Sequence, residues 1–218
     1  HNVGIVVGRA TRTAQDLIQS PLPNPIEHQL GAMVGESWRH TLIEPCTRLW
    51  NSEGISMIAE IALANARRDA HNACIAMIEL PRYTQINTAL GHAGGDQILR
   101  RLARSMLSEL DIHDSIGMAD RDQFVLVMNH IHDTRDAHKR IARFQKAAES
   151  FQIEGIQGRP LMGARTSAAY IPAGSPAQDE HLFDRLREAL RDPDPQPASA
   201  IRFIEPAGAH CPPQEQVA

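Results

Sequence analysis

Residues 73–80 read ACIAMIEL, apolar at nearly every position over the length of one strand, and this places them inside a sheet that is covered on both faces. Upstream, Ile55, Ile58, Ala62 and Ala66 recur at helical spacing, with Asn51 placed to cap the helix they form. Downstream, Ile98, Leu99, Leu102, Ala103, Met106 and Leu107 mark a long amphipathic helix. Residues 115–119 and 124–128 then read as two strands around a four-residue turn. Ala137, Ile141, Phe144 and Ala148 predict a further helix, residues 161–171 a strand, and Leu182, Phe183, Leu186 and Leu190 a last helix. After the breaker DPDPQP, residues 201–204 are expected to close the sheet as an edge strand. This order implies an α+β fold, a mostly antiparallel central sheet flanked by helices.

The first 43 residues are patterned differently. A short β-branched run, VGIVVGR, leads to the proline-broken PLPNP. From there Ile26, Leu30, Met33, Val34, Trp38 and Leu42 recur at helical spacing. We expect residues 1–43 to be an extension or linker helix, 44–205 the folded domain, and 206–218 a Pro- and Gln-rich disordered tail. The chain starts at His1 rather than Met, as expected of a piece of a longer protein.

Composition narrows the partners. At 218 residues and 42% hydrophobic content, the chain is large enough for one sizeable core with an appendage. A net charge of −4 with interspersed signs, no basic run and few aromatics argues against polymeric nucleic acid. Cys46, Cys74 and Cys211 are far apart and form no CxxC pair, which fits a reducing, cytoplasmic setting and not structural zinc. No apolar run is long enough to span a membrane, and no signal peptide is visible.

The chemistry concentrates between Glu79 and Phe124. An apolar strand ends in a carboxylate, a polar turn leads into a helix, and a tight hairpin carries a second acidic cluster, an order that suits a metal–nucleotide site. Three segments carry a family likeness. EPCTRLWNSEGI (44–55) resembles the DPLTGLxNRRGF entry segment of GGDEF domains, with Pro45, Thr47, Leu49, Asn51 and Gly54 in register. INTALGHAGGD (86–96) resembles INDxxGHxxGD, and DRDQF (120–124) stands where GGDEF would. The chain thus resembles a degenerate GGDEF domain, of the diguanylate cyclase family that joins two GTP molecules into cyclic di-GMP. The likeness runs from Glu44 to Ile204 and implies a palm-like nucleotidyl-cyclase fold.

By this resemblance Glu79 takes the strand-end Asp position, Leu80 supplies a backbone carbonyl, and Asp122 is the third signature carboxylate, together a candidate Mg²⁺ site. Asn87 and Asp96 fall where the family hydrogen-bonds guanine, and an amide with a carboxylate matches that base's edge. Asn87 starting a turn and Asp96 placing negative charge at a helix start is an equally weighted structural reading. His92 is read as a turn residue.

Other expected parts are changed. Asp120 and Arg121 replace the two glycines that let backbone N–H groups approach phosphates. Gln123 replaces the fourth-position acid and takes up no proton near neutral pH, while Phe124 is kept. Pro81 replaces a second strand-end Asp, Tyr83-Thr84 replaces a Phe-Lys pair, and RDPDPQP follows Ala189-Leu190 where a lysine-bearing phosphate clamp belongs. At the family's RxxD inhibitory site, Asp111 replaces the Arg and Asp114 is the kept Asp, so cyclic di-GMP would meet two carboxylates unless Arg140 or Arg143 compensates.

The expectation is an inactive domain serving a bacterial cyclic di-GMP signalling protein as a regulatory or protein-interaction module. It would act on a neighbouring domain or protein partner and could form a homodimer through its N-terminal helix. The alternatives are a GTP–Mg²⁺-binding allosteric domain without turnover, and a weak diguanylate cyclase. The run His130-Ile-His132-Asp133 is read as a strand-to-helix turn capped by Asp133, and Glu188-Ala189-Leu190 as a helical coincidence with the name of a phosphodiesterase domain. The methionines 57, 77, 106 and 128 are read as core, and Arg100, Arg101 and Arg104 as a solvated helix face.

Overall fold

The computed structural model describes residues 41–68, 71–149, 164–175, 181–191 and 200–206. The β-branched run near the N-terminus, nearly all of the linker helix, the start of the strand expected from 161 and the tail beyond Pro206 lie outside these residues.

Among the described residues, four helices and five strands follow in the order α1 (Ser52–Arg68), β1 (Asn72–Glu79), α2 (Tyr83–Ser108), β2 (Ser115–Asp120), β3 (Gln123–Ile131), α3 (Thr134–Glu149), β4 (Arg165–Ile171), α4 (Leu182–Arg191) and β5 (Ile201–Ile204). The sheet order is β2-β3-β1-β4-β5. Neighbouring strands pair antiparallel except β4 and β5, which are parallel. The mostly antiparallel α+β sheet expected from the sequence is thus found, with β1 at its centre.

The centrality of β1 follows from its apolar run. Ala73, Ile75 and Met77 face one side, where α1 and α4 supply Ile55, Ile58, Ala62, Leu182 and Leu186. Cys74, Ala76 and Ile78 face the other, against Leu99, Leu102 and Met106 of α2 and Ile141 and Phe144 of α3. Two-residue alternation therefore serves two cores at once. Phe124, Phe144, Ile58, Ile75 and Leu102 are fully buried, and each such side chain contributes about 1.5–3 kcal/mol relative to exposure.

The caps read from the sequence are present. Asn51 Oδ1 accepts the Gly54 N–H at 2.9 Å at the start of α1, and Asp133 Oδ1 accepts the Asp136 N–H at 2.8 Å at the start of α3. Two local expectations are corrected. The β2–β3 hairpin is tighter than four residues, because Asp120 and Gln123 pair and leave only Arg121 and Asp122 at the tip. The polar segment before the long helix is itself helical from Tyr83, and Gly91, at φ 72° and ψ 168°, breaks the axis in the middle of α2. A side chain would be strained in that left-handed conformation, so the glycine fixes where the axis turns.

Candidate functional site

The end of the sheet where β1 stops and the hairpin turns opens into a cleft of about 680 Å³ whose lining includes Glu44, Tyr83, His92, Asp96, Asp120 and Arg121. Its first wall is the entry segment. The Glu44 carboxylate accepts the N–H groups of Cys46 and Thr47 and the Thr47 hydroxyl, so its charge is committed to holding this turn.

The second wall is the broken helix α2. Asn87 lies in its first part and Asp96 beyond the break, and the bend brings the two parts together: a Cβ built on Gly95 would fall 1.8 Å from Asn87 Oδ1. Only glycine at 95 leaves the amide its room. Asn87 Oδ1 is buried and accepts no hydrogen bond among the described residues. Asn87 also hydrogen-bonds the Tyr83 phenol, partly offsetting the rise in pKa that burial imposes there. A buried, unsatisfied amide oxygen is an acceptor suited to an N–H-bearing ligand. Asp96 lines the cleft, and its backbone carbonyl accepts a weak hydrogen bond from Cys46 Sγ at 3.6 Å.

The hairpin forms the third wall. Asp120 Oδ1 accepts the Arg121 N–H at 2.7 Å, so the first replaced glycine caps its own turn. The Asp122 carbonyl accepts the Leu80 N–H at 2.9 Å and ties the tip to the end of β1. Burial, and then the neighbouring Glu79 carboxylate, push the Asp122 pKa up. The Leu80 carbonyl accepts the Tyr83 N–H at 3.0 Å. Glu79, Leu80 and Asp122, the candidate metal ligands, are therefore brought together.

Their arrangement does not fit a magnesium ion. Glu79 Oε2 lies 2.8 Å from Arg165 Nη2, and Gln123 Nε2 donates to Glu79 Oε1 at 3.4 Å. A guanidinium thus holds the carboxylate that a hard cation would need. Among the described residues, no cluster of three or more His, Cys, Asp and Glu side chains is arranged to hold a metal.

The model for the diguanylate cyclase GGDEF domain matches residues 41–192. This chain belongs to the GGDEF family. It is 22% identical over 153 residues to the diguanylate cyclase DosC of Escherichia coli K12, a match covering 70% of this chain and 33% of DosC. The GGDEF chain therefore spans about a third of that relative. The diguanylate cyclase SiaD of Pseudomonas aeruginosa, solved with its activator SiaC, superposes with a TM-score of 0.66 at 19% identity, covering 83% of this chain and 68% of SiaD. The coiled coil and GGDEF domain of DgcB from Caulobacter crescentus, solved with cyclic di-GMP, gives a TM-score of 0.65 at 15% identity, covering 82% and 93%. These structural likenesses establish the shared fold.

At Asp111 and Asp114, which the resemblance sets at the inhibitory motif, the Asp114 N–H donates to the Asp111 carbonyl at 3.1 Å, and both carboxylates meet arginines from α3. Arg143 Nη2 lies 2.9 Å from Asp111 Oδ2, and Arg140 Nη1 lies 3.5 Å from both Asp111 and Asp114. The arginines named as possible compensators are present, but bound to these aspartates. Beside this cluster the His130 ring stacks on His71 with centroids 4.4 Å apart and meets His113 at 4.6 Å. Asp133 caps α3 as read, while the imidazole contacts had no sequence signal, because His71 and His113 lie in other segments.

Sequence reasoning also missed Arg165 and Arg187. Arg187 Nε donates to Gln123 Oε1 at 3.1 Å, so Gln123 bridges Glu79 and α4. The one available clue was the strand register, which sets Arg165 opposite Glu79 once β1 and β4 are paired.

Proposed function

We propose that this GGDEF domain does not synthesise cyclic di-GMP and serves as a regulatory or protein-interaction module of a bacterial cyclic di-GMP signalling protein. Joining a 3′-hydroxyl to an α-phosphate requires charge neutralisation at the phosphates and removal of the hydroxyl proton. The observation that carries the reading is Gln123. It stands at the signature's fourth, acidic position, is almost fully buried, and is spent as a neutral spacer between Glu79 and Arg187. It therefore supplies neither a base nor a metal ligand. Asp120 and Arg121 at the two glycine positions support the same reading, because both line the cleft where phosphates would approach backbone N–H groups.

The partner is a neighbouring domain or a separate protein, with homodimerisation through the N-terminal extension as the means of coupling. The module works in the bacterial cytoplasm. The decisive assay incubates the purified chain with GTP and Mg²⁺ or Mn²⁺ and separates the nucleotides chromatographically. No cyclic di-GMP is expected, and a steady accumulation of it would sink the proposal.

A second reading, GTP held without turnover, is favoured by the buried, unsatisfied Asn87 Oδ1 facing Asp96's helix. Calorimetric titration of GTP against the wild-type chain and Asp96→Ala separates the two. Binding lost in the variant supports an allosteric nucleotide site, and no heat in either leaves the interaction module alone.

A further inference from the structure

We infer that Arg165 is a built-in cation that takes the place of a divalent metal on Glu79 and closes this end of the sheet to Mg²⁺. The inference rests on the reading above, that the cleft no longer runs metal-dependent chemistry, and names the residue that blocks it.

Glu79 is directly opposite Gln123 on β3 and directly opposite Arg165 on β4. Directly opposed side chains lie within contact distance on one face, so the three form a row across the sheet. That face is the one packed by α1 and α4, because Glu79 continues the alternation of Ala73, Ile75 and Met77. α4 can therefore reach the row from above, and Arg187 does so.

Both carboxylate oxygens of Glu79 have a partner: Arg165 lies 2.8 Å from Oε2 as an ion pair, although that oxygen accepts no hydrogen bond among the described residues, and Gln123 donates to Oε1 at 3.4 Å. The Gln123 amide is oriented from behind, since its Oε1 accepts from Arg187 Nε at 3.1 Å and Arg187 is itself paired with Asp184 at 2.8 Å. The Glu79 side chain is 15% exposed and that of Arg165 47%, so the guanidinium lies on the solvent side of the carboxylate it covers. An ion entering from solvent meets the positive charge first.

Magnesium demands near-octahedral oxygen ligation and sheds its water reluctantly. Here it would have to displace a tethered guanidinium, which is present at high effective concentration. With Glu79 engaged, Asp122 is the second and last carboxylate of the candidate set. An acid in place of Gln123 would add negative charge to the row and draw a cation in. The amide instead matches the two arginines, donating to Glu79 and accepting from Arg187.

The test uses Mn²⁺ as a paramagnetic stand-in for Mg²⁺, titrated into the full chain without nucleotide and followed by electron paramagnetic resonance. The wild-type chain is expected to show no saturable site. Arg165→Ala and Arg165→Met, the latter keeping the apolar stem in case alanine impairs folding, are expected to gain one Mn²⁺ per chain. Adding Glu79→Gln to either variant should abolish the gain. A saturable site in the wild-type chain that Glu79→Gln removes would overturn the inference, as would folded Arg165 variants, checked by circular dichroism, that gain nothing. The chromatographic assay keeps the two claims apart: wild-type turnover of GTP counts against the functional reading, whereas folded Arg165 variants without a gained site count against the role of Arg165 alone.

Discussion

Arg140 reaches from α3 to Asp114 just ahead of β2, with its Nη1 3.5 Å from both carboxylate oxygens of a side chain that has no solvent exposure. Asp114 also accepts the Asn129 N–H at 3.1 Å. Burial outweighs these favourable partners and pushes its pKa up from 3.8 to about 6. The native state therefore binds this proton more tightly than the unfolded chain. The stability it confers is fully present below about pH 4 and is lost as pH rises through about 6, a change of about 3 kcal/mol if the whole shift is realised. Urea unfolding between pH 4 and 7 should show this falling component in the wild-type chain, and Asp114→Asn should remove it.

The two arginines of this cluster should differ in worth. Arg140→Ala leaves Asp114 buried without its counter-charge, and we expect a loss of about 3 kcal/mol at pH 7. Arg143 pairs with Asp111 where both side chains are more than a third exposed, at 37% and 46%, so Arg143→Ala should cost about 0–1 kcal/mol. Equal losses in denaturant titrations would contradict this ranking.

The same pairing sets an expectation for cyclic di-GMP at this surface. Asp111 is the partner that holds Arg143, so Asp111→Arg removes the carboxylate and restores a positive charge at the motif position. Cyclic di-GMP is expected to bind the variant at least about tenfold more tightly than the wild-type chain, corresponding to about 1.4 kcal/mol. Calorimetry with both proteins reads this directly, and equal affinity would argue that these aspartates do not face the ligand.

Gly95 and Asn87 offer a test of the bend in α2. Gly95→Ala drives a methyl into Asn87 Oδ1, with an expected loss of about 1–3 kcal/mol from overpacking. Combining it with Asn87→Ala removes the clash, so the double variant should be more stable than the single Gly95→Ala. A double-mutant cycle with additive losses would place the strain elsewhere.

The fold was legible because β1 is apolar on both faces, and that alone fixes a central strand with helices above and below. Asn51 and Asp133 were legible as caps because each precedes an apolar-periodic segment. The helix break at Gly91 was not, since Asn87 and His92 look like turn residues and only the backbone shows helix on both sides. The signature was readable as changed, and Gln123 as a missing acid, but its bridge was invisible. Arg165 is 86 positions from Glu79 in the sequence, and nothing local marks it as a partner. Local pattern reaches one element at a time, whereas this row is assembled by three strands and a helix.

The entry segment has a mechanical consequence. The Trp50 carbonyl accepts the Met118 N–H at 2.8 Å on the edge of β2, while Asn51 N–H donates to the Leu42 carbonyl at 2.8 Å and Asn51 Nδ2 to the Thr41 carbonyl at 2.7 Å. The residues just before α1 are thus stitched to the strand that carries Asp120, and Glu44 and Cys46 of the same loop line the cleft. Thr41 and Leu42 are thus tied, through a loop about ten residues long, to the strand that leads into the signature hairpin.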